Sequence, residues 1–416
     1  MIIPEHDAKP GPLKYCQISG SDNLNPVIDL GIQPLCDAIL SKEQLDQPEK
    51  KYPLKLMHCP DSGLAQLSHV VDGGEVYPPS YPYRSGISKP LEEYQRAFAD
   101  DVVKTYGAGL TVDIGCNDGT LLTGFRRNGC QVIGVEPTDI AKIAKKEGLP
   151  VIQEFFTESL AVAMVKDDGH AKFVTMTNVF AHMAPLGEVM RGVCELIGND
   201  GIFITESHYL LDVLEKTQFD TVYHEHIRTY SLKSLCILAA MYGLEVFHVE
   251  RRERYGGNIR AYIGKRHQHR VMFSVAELLN EEDRKKLHRP QTWVDFAKRV
   301  DVQKNAFMES LHKAKKNGLR TAGCSAPGRC ATLLNYYGVT PDLLPYLCEL
   351  HNSLKLDKYL PGCHIPIVNN ERLAREQPDI IYLMAWHYQE PIVKRLRAEG
   401  ITAKLYVPLP EFSECS

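Results

Sequence analysis

The chain has 416 residues, 44% of them hydrophobic and 24% charged, with a formal charge of −4. That is enough chain for two or three domains with sizeable cores, and the slightly acidic balance excludes a protein whose main business is binding nucleic acid. The N-terminus, MIIPEHDAKPGPLKY, has no basic stretch followed by an apolar core, and no run reaches 18 uncharged apolar residues, so neither a secretory signal nor a membrane span is expected. With twelve scattered cysteines and no export signal, reduced thiols and a cytoplasmic location are the expectation.

Residues 1–75 are rich in Pro and Gly with short apolar runs, VIDLGIQPLCDA and YPLKLMHCPDSGLAQL, which predicts a small, loop-rich lobe with little core of its own. Residues 76–265 alternate β-like runs (LTVDIG, CQVIGVEP, KFVTMTN, GIFITES) with stretches long enough for helices, the pattern of parallel strands with crossover helices. Within them the apolar run from Leu235 to Leu244 reads as a core helix. Residues 266–416 begin with a charged helical pair at about 275–315, expected on the surface. A second α/β zone follows, with strand candidates LRTAGCSAP, LLPYLCELH, DIIYLMAW and TAKLYVPLP. The expected fold class is α/β, a small lobe followed by two doubly wound lobes.

The sharpest local signal is Val112-Asp113-Ile114-Gly115-Cys116-Asn117-Asp118-Gly119, an apolar strand entering a Gly-x-x-x-Gly turn that opens into the helical run TLLTGFRRNG. Glycines there allow a tight turn and close approach of a ligand to the backbone. The dinucleotide fingerprint G-x-G-x-x-G is absent, and an acid on the strand with glycines four apart is the pattern of S-adenosylmethionine methyltransferases. Glu136, followed by Pro137, ends the next strand, where a carboxylate accepts hydrogen bonds from two ribose hydroxyls. Asn178 follows another strand tip on the same edge, and with His182 it is a candidate pocket residue, although an Asn there also suits a helix cap.

The segment 219–231 carries Tyr223, His224, Glu225 and His226, side chains suited to moving a proton near neutral pH. A metal is not expected on the two histidines, because no third ligand stands nearby. A solvated polar loop is the alternative for this segment. Upstream, the Tyr and Pro run from Tyr77 to Gly86 is either a hinge or a lid with tyrosine hydroxyls over a pocket.

These marks, with DLGIQPLCDA, YPYRSG, YGGNIR, SAPGRCATLLNYYGV and YLPGCHIPI, occur in order over nearly the whole chain. The chain resembles the nucleotide-sugar 3-C-methyltransferases of deoxysugar biosynthesis. The resemblance implies a zinc-ribbon-like N-terminal lobe, a central class I methyltransferase lobe binding S-adenosylmethionine, and a C-terminal Rossmann-like lobe that helps to hold a nucleotide-linked 4-keto-deoxysugar. It assigns the proton abstraction at C3 to His226, beside Tyr223, Glu225 and a tyrosine of YPYRSG, with Tyr83 preferred over Tyr81. It further implies cofactor contacts at Asp113, Gly115, Asn117, Gly119, Glu136, Pro137 and Asn178. Sugar-nucleotide contacts are expected at Tyr81, His182, His224, Asn258 and Arg329.

Two departures stand out. The family's zinc lobe carries two Cys-x-x-Cys pairs, and here they read Cys16-Gln-Ile-Ser19 and Cys59-Pro-Asp-Ser62. Serine hydroxyls are poor substitutes for thiolates, and nothing in the spacing recommends Cys36 or His58 instead, so bound zinc is not expected. His224 stands where the family carries Asp, and Arg329 where Lys is common, which leaves the sugar and the pyrophosphate contacts open. The expected partner is a small-molecule nucleotide sugar, with neither nucleic acid nor membrane, and the chain is expected to be a monomer or small homo-oligomer. The rival readings are methyl transfer to an oxygen or another activated carbon, and a ligand-binding relic of the fold.

Overall fold

The computed structural model describes residues 3–81, 83–87 and 89–415. Pro82 of the YPYRSG run lies outside the described residues. The small lobe is built on an antiparallel sheet of Asn25–Pro34, Lys51–His58 and Ala65–Leu67. Its fourth strand, Arg228–Thr229, comes from the central domain and pairs antiparallel with Ala65–Leu67. The lobe is thus completed by a segment from far downstream in the chain.

The central sheet has seven strands. Across it they run Leu244–Arg252, Asn258–Lys265, Ile202–His208, Phe173–Thr177, Thr111–Ile114, Val132–Val135 and Val151–Ile152. The five from Ile202–His208 to Val151–Ile152 are parallel, while Asn258–Lys265 is antiparallel to both neighbours. The chain works outward from Thr111–Ile114 to one edge, then returns through Phe173–Thr177 to the other. That reversal leaves a crevice at the carboxyl ends of these two strands, where ligands bind in such sheets. All four strand candidates form here, and the apolar run after Ser231 is a helix, Leu232–Met241, that stops at Gly243 with φ of 68°.

The third sheet orders Lys358–Tyr359, Pro366–Asn369, Leu347–Glu349, Thr321–Cys324, Ile380–Leu383, Lys404–Val407 and Ser413–Cys415, with five parallel strands between antiparallel edges. The four strand candidates of this zone form as well. The charged helical pair is Phe273–Arg284 and Pro290–Lys316. The second of these is not a surface helix: Trp293, Phe296, Val300, Phe307 and Leu311 recur at helical spacing and are fully buried. A single apolar core runs from Cys16 and Leu56 in the small lobe through Phe203 to Leu383 in the last sheet. Among the described residues no helix is long and apolar enough to cross a membrane.

Candidate functional site

At the crevice the Gly115 backbone turns with φ of 71°, and a Cβ there would stand 2.4 Å from Val179. Gly119 has φ of 79°, with Leu149 only 2.3 Å from where a Cβ would lie. Both positions require glycine. Asp113 accepts from the Thr175 hydroxyl at 2.6 Å, and burial pushes its carboxyl up to about 7. This holds adjacent strands in register beneath the loop. Glu136 accepts from the Asn117 amide at 3.1 Å and from both Thr138 donors at 2.9 and 2.7 Å. The Asn117 side chain bonds the Ser85 amide and the Tyr83 carbonyl, and Asp118 accepts from the Gly86 amide, so the tyrosine-rich linker is tied over the glycine loop.

On the other side of the crevice, Asn178 adopts φ of 55° and accepts from Asn258 Nδ2 at 3.3 Å. Asn178 Nδ2 and Asn258 Oδ1 are buried without partners, a donor and an acceptor at one strand edge. Buried polar atoms without partners cost about 1–3 kcal/mol each unless something satisfies them. A ligand carrying amino, carboxyl and hydroxyl groups, such as S-adenosylmethionine, fits the glycine cradle, the Glu136 carboxylate and these two amides together. Behind them Glu206, fully buried, is neutralised by Arg260 at 2.7 Å and accepts from the Tyr94 hydroxyl, to which Arg260 donates in turn.

Three imidazoles meet beside this edge. The His226 ring lies 5.0 Å from that of His182 and 4.8 Å from that of His208, with the Tyr223 ring 3.9 Å away. His226 Nδ1 contacts the Thr221 carbonyl at 2.7 Å, which makes it the protonated nitrogen and leaves a lone pair on Nε2. Burial lowers this imidazole to about 4, with Arg329 adding to the effect, so the ring is neutral at pH 7 and able to accept a proton. His182 stacks on Tyr77, which packs edge-on against Tyr81.

The two linker tyrosines part company. The Tyr81 hydroxyl donates to Glu225 at 2.8 Å, whereas that of Tyr83 pairs with Tyr255 at 2.5 Å. Of the two tyrosines it is Tyr81, not the preferred Tyr83, whose hydroxyl reaches the segment from Tyr223 to His226. His224 faces away as well: it packs edge-on against Tyr52 of the small lobe, with both ring nitrogens buried and unpartnered.

Arg329 differs from its expected pyrophosphate role. Its fork grips Asp220 at 2.8 and 2.7 Å, its remaining donors reach the Tyr255 carbonyl and Gln218, and Trp386 donates to the same Asp220. A guanidinium so occupied joins the lobes and has no bidentate face left for a phosphate. His208, Tyr255, Asp220 and Glu206 were not foreseen. His208 sits one residue beyond the GIFITES run and Tyr255 within YGGNIR, but neither carries a spacing signal, since the sheet alone brings His208 to His226 and Tyr255 to His208.

In the small lobe, Cys16, Ser19, Cys59 and Ser62 do converge. Cys16 Sγ lies 3.1 Å from Ser62 Oγ, and Cys59 Sγ lies 3.4 Å from Ser19 Oγ. Each knuckle turns on a following glycine of positive φ, Gly20 at 69° and Gly63 at 76°. Two thiols and two neutral hydroxyls that already satisfy one another do not fit a structural zinc, which takes four strong donors. His58 is stacked on His288 and Cys36 lies against Glu225, so neither completes the set.

Sequence comparisons match residues 16–77 to the family described as "Putative zinc binding domain", 91–249 to "Methyltransferase domain" and 253–410 to "C-methyltransferase C-terminal domain". The C-methyltransferase NovU of Streptomyces niveus is 31% identical over 408 residues, 96% of each chain. Among solved structures, the PH0226 protein of Pyrococcus horikoshii OT3 is similar over 46% of this chain and 98% of its own, at 14% identity and a TM-score of 0.36. The magnesium protoporphyrin IX methyltransferase of Synechocystis PCC 6803 is similar over 42% of this chain and 79% of its own, at 12% identity and a TM-score of 0.32. With three successive domain matches and a relative aligned almost end to end, the chain belongs to the S-adenosylmethionine-dependent C-methyltransferases.

Proposed function

We propose that the enzyme methylates C3 of a nucleotide-linked 4-keto-deoxysugar, with His226 removing the C3 proton. The observation that carries this is the imidazole itself: Nδ1 anchored on a carbonyl, Nε2 free, and the ring kept neutral by burial at the edge of the cofactor crevice. A ketone at C4 acidifies the neighbouring C–H and spreads the resulting charge onto oxygen. Burial keeps the imidazole unprotonated and so able to take this proton while weakening it as a base, and a positioned general base is worth about 10²–10⁴ in rate. The C3 proton passes to His226 Nε2, and the electron pair of the broken bond becomes the enolate.

Glu136, Asn117, Asn178 and the glycine loop from Gly115 to Gly119 hold S-adenosylmethionine in this reading, with Asp113 supporting the strand and Pro137 the turn after Glu136. When bound, the cofactor supplies an electrophilic methyl group. Tyr81, Tyr223 and protonated Glu225 line the same centre, and His182 and His208 flank the base. Both flanking rings are held well below the ordinary imidazole value by burial, so they remain neutral and supply N–H donors without adding charge.

The C-terminal sheet has a chain reversal of its own beside this site. Its strand Thr321–Cys324 leads into residues 325–328, and its strand Ile380–Leu383 leads into His387 and Tyr388. His387 lies 6.4 Å, ring to ring, from Tyr255. That crevice suits the nucleotide end of the substrate. The test is solvent exchange. In D2O, with S-adenosylhomocysteine filling the cofactor site, the wild type should exchange the C3 proton of a nucleotide 4-ketosugar. His226→Gln should not. Undiminished exchange in that variant would remove His226 as the base.

A further inference from the structure

All three lobes meet at Glu225. Its Oε2 accepts from Tyr81 at 2.8 Å, and its Oε1 accepts from the Cys36 thiol at 3.7 Å. The next residue of the small lobe, Asp37, is held by Lys355 of the C-terminal lobe at 2.7 Å, and Lys355 also donates to the Ala326 carbonyl at 3.2 Å. The Cys36, Asp37 and Glu225 heteroatoms lie within 4.8 Å of one another. A Cβ on Gly328, at the start of the helix Gly328–Tyr337, would stand 2.9 Å from Asp37 Oδ2, so glycine is what lets the last lobe settle this closely. The Lys355 and Asp37 side chains are only 17% and 16% exposed, which limits screening by salt.

We propose that Asp37 and Lys355 are positioning residues for the methyl transfer: their ion pair draws the first and last lobes onto the segment from Tyr223 to His226 and sets the charge carried by Glu225. This rests on the reading of Glu225 as part of the reaction centre. Two carboxyls this close and shielded from water do not both ionise cheaply. Asp37 has the ammonium, so the proton stays on Glu225, which burial and then Asp37 push up to about 8. Tyr77 and Tyr81 of the linker, Tyr223 of the same segment and the Cys36 thiol also face it. All four are neutral, held above their ordinary values by burial. Among the described residues Asp37 and Lys355 are the charges that act on Glu225, and they act in opposite directions.

The experiment is a carboxyl 13C NMR titration of the full-length protein labelled at glutamate, with Glu225→Gln identifying the resonance. The wild-type midpoint is expected near 8. Asp37→Asn should move it down by about one unit or more, Lys355→Met should move it up by a similar amount, and Lys355→Arg should leave it in place. In the kinetic profile the basic limb of kcat/KM should follow the same order. A purely structural latch would lower kcat in both neutralising variants without opposite shifts. Equal midpoints in all variants, a wild-type midpoint near that of free glutamate, or a basic limb that stays fixed would overturn the proposal. The titration uses no substrate, so failure of the sugar assay alone would count against the substrate reading and leave the charge relation standing.

Discussion

At His226 one hydrogen bond fixes the tautomer. Because Nδ1 is committed to Thr221, Nε2 is the free nitrogen, and replacing the ring with Gln removes the acceptor while keeping a polar group of similar reach. His226→Gln should lose about 10²–10⁴ in kcat yet bind S-adenosylhomocysteine as the wild type does, checked by calorimetry. Since burial lowers the imidazole, the acid limb of kcat/KM should fall near pH 4, well below the ordinary histidine range. Arg329 gives a contrasting case. Removing its guanidinium strands the buried Asp220 carboxylate, so Arg329→Met should cost about 3–5 kcal/mol in denaturant unfolding. A raised KM with unchanged stability would instead restore the pyrophosphate role that its position in SAPGRC suggested.

Among the elements, the small lobe is fastened to the rest of the chain by side chains and backbone. A lobe this small ordinarily needs a staple. Here Arg228–Thr229 extends its sheet, and the fully buried Arg228 guanidinium bonds Gln17, Tyr230 and the Phe180 carbonyl, fastening the knuckle region to the central domain. Metal analysis of purified protein should find no stoichiometric zinc, whereas the double variant Ser19→Cys with Ser62→Cys should take up one zinc and become sensitive to chelators. One zinc per chain in the wild type would contradict this.

The serine substitutions were legible in the sequence, as were the eight strand candidates, because short β-branched runs bounded by Gly and Pro mark strands locally. The glycine loop was legible for the same reason. Residues delivered by long-range folding were not. His208 meets His226, and Tyr255 meets His208, only because Ile202–His208 pairs with Asn258–Lys265, and Asp37 reaches Glu225 only across a lobe boundary. Sequence spacing likewise could not tell which linker hydroxyl meets Glu225; that of Tyr81 does, while that of Tyr83 meets Tyr255.

Over the whole molecule, a continuous core and a shared sheet join the three lobes. The imidazoles buried in them carry a cost in acid. His58 is lowered to about 3, and His224 and His226 to about 4, all chiefly by burial. In each case the unfolded chain binds the proton more tightly than the folded one. Their stabilising contribution is therefore complete above about pH 6.5 and is lost as pH falls towards 4. Urea midpoints measured across that interval should drop steeply, and a flat profile would show that these rings are not held neutral.

The central claim is that a new carbon–carbon bond forms at C3, and NMR of the product tests it most directly. A nucleotide 4-keto-deoxysugar incubated with the enzyme and methyl-labelled S-adenosylmethionine should yield a sugar whose labelled methyl is bonded to a C3 that has lost its proton. A labelled methyl on oxygen, or a retained C3 proton, would contradict the account.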